Sequence, residues 1–155
     1  MHVIDLLTVE RIAVDAVARS KKRALELASE MLCREQPELK SRDVYASLCA
    51  RERLGSTGFG RGVALPHGRL EGTRAVSGAF IRLRDPVDFE AMDRSDVDLI
   101  FALIVPVDCE ERHLELLSQL ASLFNDGARR EKLRHAGDAL DVMRLLEGWQ
   151  TTVTS

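Results

Sequence analysis

The chain has 155 residues, of which 45% are hydrophobic, 30% charged and 5% aromatic, with a formal net charge of -3. That is one domain's length, enough to bury roughly 70% of the surface its unfolded chain exposes, and the balance excludes disorder for most of it. Scarce aromatics and a slightly acidic charge argue against nucleic acid, and the longest apolar run, nine residues from Leu99 to Val107, is too short to enter and cross a bilayer. The N-terminus, Met-His-Val-Ile-Asp-Leu-Leu, lacks the pattern of a signal peptide. Cys33, Cys49 and Cys109 have no zinc or redox spacing, so buried, reduced thiols in a cytoplasmic protein are expected.

In chain order, residues 11–18 alternate Ile12 and Val14, with Val17 near the end, and predict a short strand. Ser20 offers an N-cap to a helix carrying Ala24, Leu25, Leu27, Ala28, Met31 and Leu32, which Pro37 should end. A second helix is predicted over 43–53, with Val44, Leu48 and Leu54 on one side. Six of the ten glycines then fall between Gly55 and Gly72, around a short apolar run at 63–65, which reads as a strand fed by a close-turning loop. Residues 75–83 are β-like and Pro86 should break them, while 97–105 is apolar enough to be a central strand buried on both faces. Asp108 and Glu111 resemble a capping box for a helix with Leu114, Leu117, Ala121 and Phe124 as its apolar stripe. Two more helices follow over 128–135 and 138–149, set apart by Gly127 and Gly137, and 150–155 reads as a flexible, Thr-rich tail. Strands interleaved with helices of this length predict a single α/β domain over 1–149, a sheet covered by helices, whose strand order the pattern does not give.

Two histidines stand out, whereas His2 and His135 read as surface residues. His67 follows Pro66 at the end of a predicted strand and precedes Gly68, where an α/β sheet commonly presents ligands. Backbone N–H groups in the glycine-rich stretch suit an anion, and an imidazole nitrogen is a competent nucleophile near neutral pH, able to form an N–P bond. The plainer alternative is a loop histidine satisfied by a backbone carbonyl. His113 shares a helical face with Leu117, Leu120 and Phe124, which suits a hydrogen-bonded core residue, yet the strand before it ends close by, so it is placed to meet His67. Converging histidines suit a metal or a shared phosphoryl group. A metal wants a third protein ligand, and neither Asp108, Cys109 nor Glu110 has a ligand spacing with His67. Gly58-Phe-Gly60-Arg-Gly62 fails the G-x-G-x-x-G pattern, and neither a Walker A loop nor a G-x-S-x-G elbow occurs.

The segment from Arg51 to Leu70, RERLGSTGFGRGVALPHGRL, resembles the active-site signature of the IIA proteins of the bacterial phosphoenolpyruvate-dependent phosphotransferase system, of the mannitol/fructose type. Ser20-Lys-Lys-Arg-Ala-Leu, Pro86-Val-Asp-Phe, the strand from Asp98 to Pro106 and His113-Leu match in the same order, so the resemblance covers roughly residues 6–146. It implies a mixed β-sheet flanked by helices, His67 as acceptor of a phosphoryl group from a small HPr-like phosphocarrier, His113 as the second histidine that supports the phosphorylated ring, and Arg51 as a partner for phosphate oxygens. Gly55, Ser56, Thr57 and Gly68 would surround the phosphate. Phe59, Arg61 and Arg69 depart from the pattern at what read as loop positions, and Arg61 and Arg69 either add positive potential or are simply solvated.

With no sugar-specific or carrier domain in the sequence, the resemblance is closest to the nitrogen-regulatory branch. That implies a cytoplasmic regulator in nitrogen or potassium control, needing no metal or cofactor, whose targets are transporters or sensor kinases. The alternative is a IIA component that passes phosphate to a sugar-specific IIB/IIC permease.

Overall fold

The computed structural model describes residues 2–153, with side chains over 2–149. Two 3-10 turns, Val3–Leu6 and Val9–Arg11, lead into β1 (Ile12–Ala16), α1 (Lys21–Leu32) and α2 (Ser41–Glu52). Three short strands follow, β2 (Gly58–Gly60), β3 (Val63–Ala64) and β4 (His67–Leu70), then the long β5 (Ser77–Val87) and β6 (Val97–Pro106). The chain ends in α3 (Glu110–Phe124), α4 (Gly127–His135) and α5 (Ala139–Val153). Of the tail expected over 150–155, residues 150–153 continue α5 as helix, because the helix runs on past Trp149, and 154–155 lie outside the described residues.

The sheet is mixed, in the order β1-β5-β6-β3-β2, with β4 also on β6. β5 and β6 are antiparallel, whereas β1 on β5 and both β3 and β4 on β6 are parallel. β6 is central because it is apolar on both faces, and its residues sort by strand alternation. Leu99, Phe101, Leu103 and Val105 pack with Leu116, Leu120 and Phe124 of α3, whereas Ile100, Ala102 and Ile104 pack with Ala24, Ala28 and Met31 of α1 and Val44 and Leu48 of α2. Phe101 and Phe124 meet edge to face with centroids 6.4 Å apart, and burying one such ring contributes about 2–3 kcal/mol.

Ser20 caps α1 as expected, its Oγ accepting from the Arg23 N–H at 3.1 Å. Elsewhere tertiary context overrides the local signals. α1 stops at Leu32, short of Pro37, where Glu35 takes a left-handed φ of +67°. Pro86 does not break β5, because the exposed stretch 84–86 lies where the pairing with β6 shifts register and no ladder N–H is needed. The expected Asp108–Glu111 capping box is absent: Cys109 is the N-cap of α3 and its side chain accepts no capping bond. Gly127 opens α4 instead of preceding it, the Asp126 carboxylate accepting from the Ala128 and Arg129 N–H groups at 2.9 and 3.2 Å. Leu54 and Leu114, expected on buried faces, are exposed, and the three cysteines are unpaired and half-buried. No helix among the described residues is long and apolar enough to cross a membrane.

Candidate functional site

The segment around His67 is a strand, not a loop. After β3 the chain passes Pro66, whose carbonyl accepts from the Leu103 N–H at 2.9 Å, and continues along β6 as β4, with His67 opposite Leu103 and Leu70 opposite Pro106. Gly68 is therefore a packing glycine. A Cβ there would lie 2.3 Å from Ser47 Oγ and 3.0 Å from the Ser47 carbonyl oxygen, so only glycine lets α2 lie this close to β4. Ser47 secures the contact by donating to the Arg69 carbonyl at 2.7 Å.

His67 Nδ1 lies 2.7 Å from the Leu65 carbonyl oxygen. A carbonyl only accepts, so Nδ1 carries the proton and the neutral ring keeps its lone pair on Nε2. The ring is thus satisfied by a backbone carbonyl, as the plainer alternative had it, though on a strand and not in a loop, and the same bond fixes the tautomer that leaves Nε2 unprotonated. Burial pushes the His67 pKa below its ordinary value; the Leu65 bond raises it, Arg51 lowers it and Glu52 raises it, with a net fall. The ring is therefore neutral at pH 7.

His113 lies in the first turn of α3, 7% exposed, and faces His67 with ring centroids 5.0 Å apart and planes at 81°. Its Nε2 is buried without a hydrogen-bond partner. Burial, then the adjacent His67, then the Arg69 and Arg51 guanidinium groups lower its pKa from 6.5 to about 4, and Glu110 alone pulls the other way. Arg51, in the last turn of α2, donates to the Gly55 carbonyl at 2.9 Å. Both histidines, Arg51, Gly68 and Arg69 line one cleft of about 430 Å³, which Leu54 and Leu114, residues 83% and 64% exposed, also line. Two cationic groups beside a neutral imidazole suit an anionic reactant, and an apolar rim suits a protein that delivers it.

Gly55, Ser56 and Thr57 do not line this cleft. They brace it from behind: Ser56 Oγ donates to the Phe89 carbonyl at 2.7 Å, and the Thr57 N–H donates to both Glu52 carboxylate oxygens at 3.1 Å. Glu52 is also paired with Lys21 at 3.0 Å. Sequence reasoning did not single out Glu52 or Ser47, nor give Arg69 and Glu110 a place in the site. Of these, Arg69 was the one within reach: two residues from His67, it shares that ring's face as soon as β4 is recognised as a strand. Among the described residues no group of three or more His, Cys, Asp or Glu is placed to hold a metal ion.

The fold is that of the mannitol-type IIA proteins. The crystal structure of IIA mannitol from Escherichia coli superposes with a TM-score of 0.76 at 23% identity, over 90% of this chain and 98% of that one. The crystal structure of nitrogen regulatory protein IIA-Ntr from Neisseria meningitidis gives a TM-score of 0.88 at 45% identity, over 93% of this chain and 98% of that one. A nitrogen regulatory protein of Pseudomonas aeruginosa is 45% identical over 135 residues, 87% of this chain and 88% of the relative. Residues 5–149 match the family described as phosphoenolpyruvate-dependent sugar phosphotransferase system, EIIA 2, and the chain belongs to that family.

Proposed function

We propose that the chain is a cytoplasmic phosphohistidine protein that accepts a phosphoryl group on His67 Nε2 from an HPr-like phosphocarrier and acts mainly as a regulator of nitrogen- or potassium-type responses, through transporters or sensor kinases. The observation that carries the chemistry is the Leu65 carbonyl on His67 Nδ1, which leaves Nε2 as the nucleophilic atom. The names of the relatives support the regulatory reading.

In the transfer, the Nε2 lone pair forms the new N–P bond as the donor's N–P bond breaks, its electron pair returning to the donor imidazole. Each ring keeps the proton on its other nitrogen, so no proton changes hands. The demand on the protein is positioning and charge stabilisation. Leu65 orients the acceptor and steadies the positive charge that develops on its ring. Arg51 and the unpartnered Nε2 of His113, as an N–H donor, would hold the phosphoryl oxygens. The phosphoryl group, itself carrying about -2 against the +1 that develops on the ring, sits beside Leu54 and Leu114, so a partner that packs on this apolar rim in one state meets a charged, hydrated cleft in the other.

Incubation with phosphoenolpyruvate and the two upstream phosphocarriers should add one phosphoryl mass, mapped to His67. His67→Ala should add none, and retention of the modification in that variant would overturn the assignment. His113→Ala should still be modified at His67, at least about tenfold more slowly, because one donor to the phosphoryl oxygens is gone.

The family description favours a second reading, onward transfer to a sugar-specific IIB/IIC permease. Mixing the phosphorylated chain with IIB proteins decides between the two, since a regulator keeps its label and a transport component loses it.

A further inference from the structure

The two walls of the cleft meet at two rungs. His67 and Arg69 stand two residues apart on β4, and Glu110 and His113 three apart on α3, so each pair shares one face of its element. The first rung is the contact between the imidazoles, with centroids 5.0 Å apart. The second is an ion pair, Arg69 Nη2 donating to Glu110 Oε1 at 3.1 Å. Arg69 thus lines the cleft as a guanidinium already engaged by a carboxylate.

We propose that Glu110 is a positioning residue that holds Arg69 in reserve, and that a phosphoryl group on His67 draws the guanidinium from the Glu110 carboxylate onto its own oxygens. This deepens the reading of His67 as phosphoryl acceptor and rests on it. The Arg69 and Glu110 side chains are 43% and 68% exposed, and a pair that open is weak. A phosphoryl dianion brings about twice the charge and three acceptor oxygens, which the planar guanidinium meets two at a time. Glu110 loses little on release, because it lies in the first turn of α3, where the helix dipole favours a carboxylate. Arg69 is within one strand repeat of His67, about 7 Å along β4, a distance its side chain spans. The exchange also changes the rim: a neutral pair becomes a free carboxylate on α3, next to the exposed Leu114, so the covalent state of a half-buried ring is displayed where a partner reads it.

The test measures the equilibrium between the full-length chain and the phosphorylated carrier that labels it, in parent, Glu110→Gln, Arg69→Gln and the double variant. Glu110→Gln frees the guanidinium beforehand and should shift the equilibrium about two- to fivefold towards the phosphorylated chain, as expected for an exposed pair. Arg69→Gln should shift it the other way, and Arg69→Lys, which keeps the charge but not the fork, should fall between parent and Arg69→Gln. Because Glu110 acts through Arg69, Glu110→Gln should have no effect in the Arg69→Gln background. The Glu110→Gln shift should also shrink as ionic strength rises from about 0.05 to 0.5 M. Thermal midpoints, expected to stay level for these exposed positions, show that each variant is folded.

An equilibrium in Glu110→Gln equal to the parent's overturns the inference. So does a shift that persists in full in the double variant, which would mean direct repulsion between Glu110 and the phosphoryl group. If the parent takes no label on His67, the proposed function falls and this inference with it; if the parent is labelled and the variants match it, only this inference falls.

Discussion

On the β4 side of the cleft the proposed nucleophile is fixed by neighbours that all have partners: Leu65 holds His67 Nδ1, Ser47 holds the Arg69 carbonyl, and the strand is in register on β6 from His67 to Leu70. On the α3 side the helix starts at Cys109 without a side-chain cap, and the buried Nε2 of His113 has no partner. The two rings belong to one site but are held to different ends. In the proposed transfer the attacking nitrogen must be aimed before the reactant arrives, and the Leu65 bond would aim it. A group that only engages the product can wait unsatisfied, at a cost of about 1–3 kcal/mol for a buried polar atom, which a phosphoryl oxygen would remove. The β4 wall is the rigid half, and the α3 wall carries the stored penalty.

Breaking the rigid half should have the largest effect on stability. Gly68→Ala places a methyl group against Ser47, including its carbonyl oxygen, which cannot rotate away as Oγ can. α2 must move off β4, at a cost of about 1–3 kcal/mol in denaturant unfolding, together with slower labelling of His67. A loss under about 0.5 kcal/mol would mean that α2 yields easily, and the rigid wall would not be rigid.

The α3 wall should show itself in pH dependence. His113 titrates at about 4 in the fold and at about 6.5 when unfolded. As pH falls below about 7 the unfolded chain takes up this proton first, so the stability associated with the neutral, buried ring is complete above the unfolded pKa and is lost between about pH 6.5 and 4. From pH 7 to pH 5 the loss is about 2 kcal/mol, and the depressed pKa of His67 adds to the same slope. Denaturant unfolding at the two pH values measures it. His113→Asn should remove most of the pH difference while the His67 share remains; an unchanged slope would place the acid sensitivity elsewhere.

The difference between the walls also marks what the sequence could tell. β6 was legible because its eight buried residues from Leu99 to Pro106 leave an uninterrupted apolar run, and α1 because Ser20 carries its own cap. The approach of His67 to His113 was legible as a strand end followed closely by a helix start. What escaped was set by contacts distant in sequence. β4 is four residues long and hidden among glycines, so its pairing with β6, and with it the placing of Arg69 on the His67 face, belongs to the sheet and not to local propensity. Gly68 reads as a turn residue until Ser47, on another element, is seen against it. Asp108 and Glu111 have the spacing of a capping box, but the helix starts one residue later, on Cys109, because the chain leaving β6 turns at 107–108 first. Leu114 fits the apolar stripe by spacing, yet it rims the cleft, since an apolar residue on an exposed rim can obey the same periodicity as one in the core.

The smallest expected effect addresses the uncapped end of α3. Cys109→Ser places a hydroxyl where an N-cap side chain accepts from the N–H of the second or third helical residue, Glu111 or Arg112. Backbone angles of φ -108° and ψ 47° fall short of the extended conformation such caps prefer, so the gain should sit at the low end, about 0.5 kcal/mol in denaturant unfolding. Cys49→Ser, within α2, makes the same chemical change away from any helix start and should give no gain. Cys109 does not line the cleft, so labelling of His67 should proceed at the parent rate in Cys109→Ser. A gain in stability with unchanged labelling would show that the open helix end is slack the fold can lose, separate from the unpaired imidazole one turn further on. A gain accompanied by slower labelling would show instead that α3 has to shift at its first turn for His113 to reach the phosphoryl group, and the loose cap would then belong to the working parts of the α3 wall.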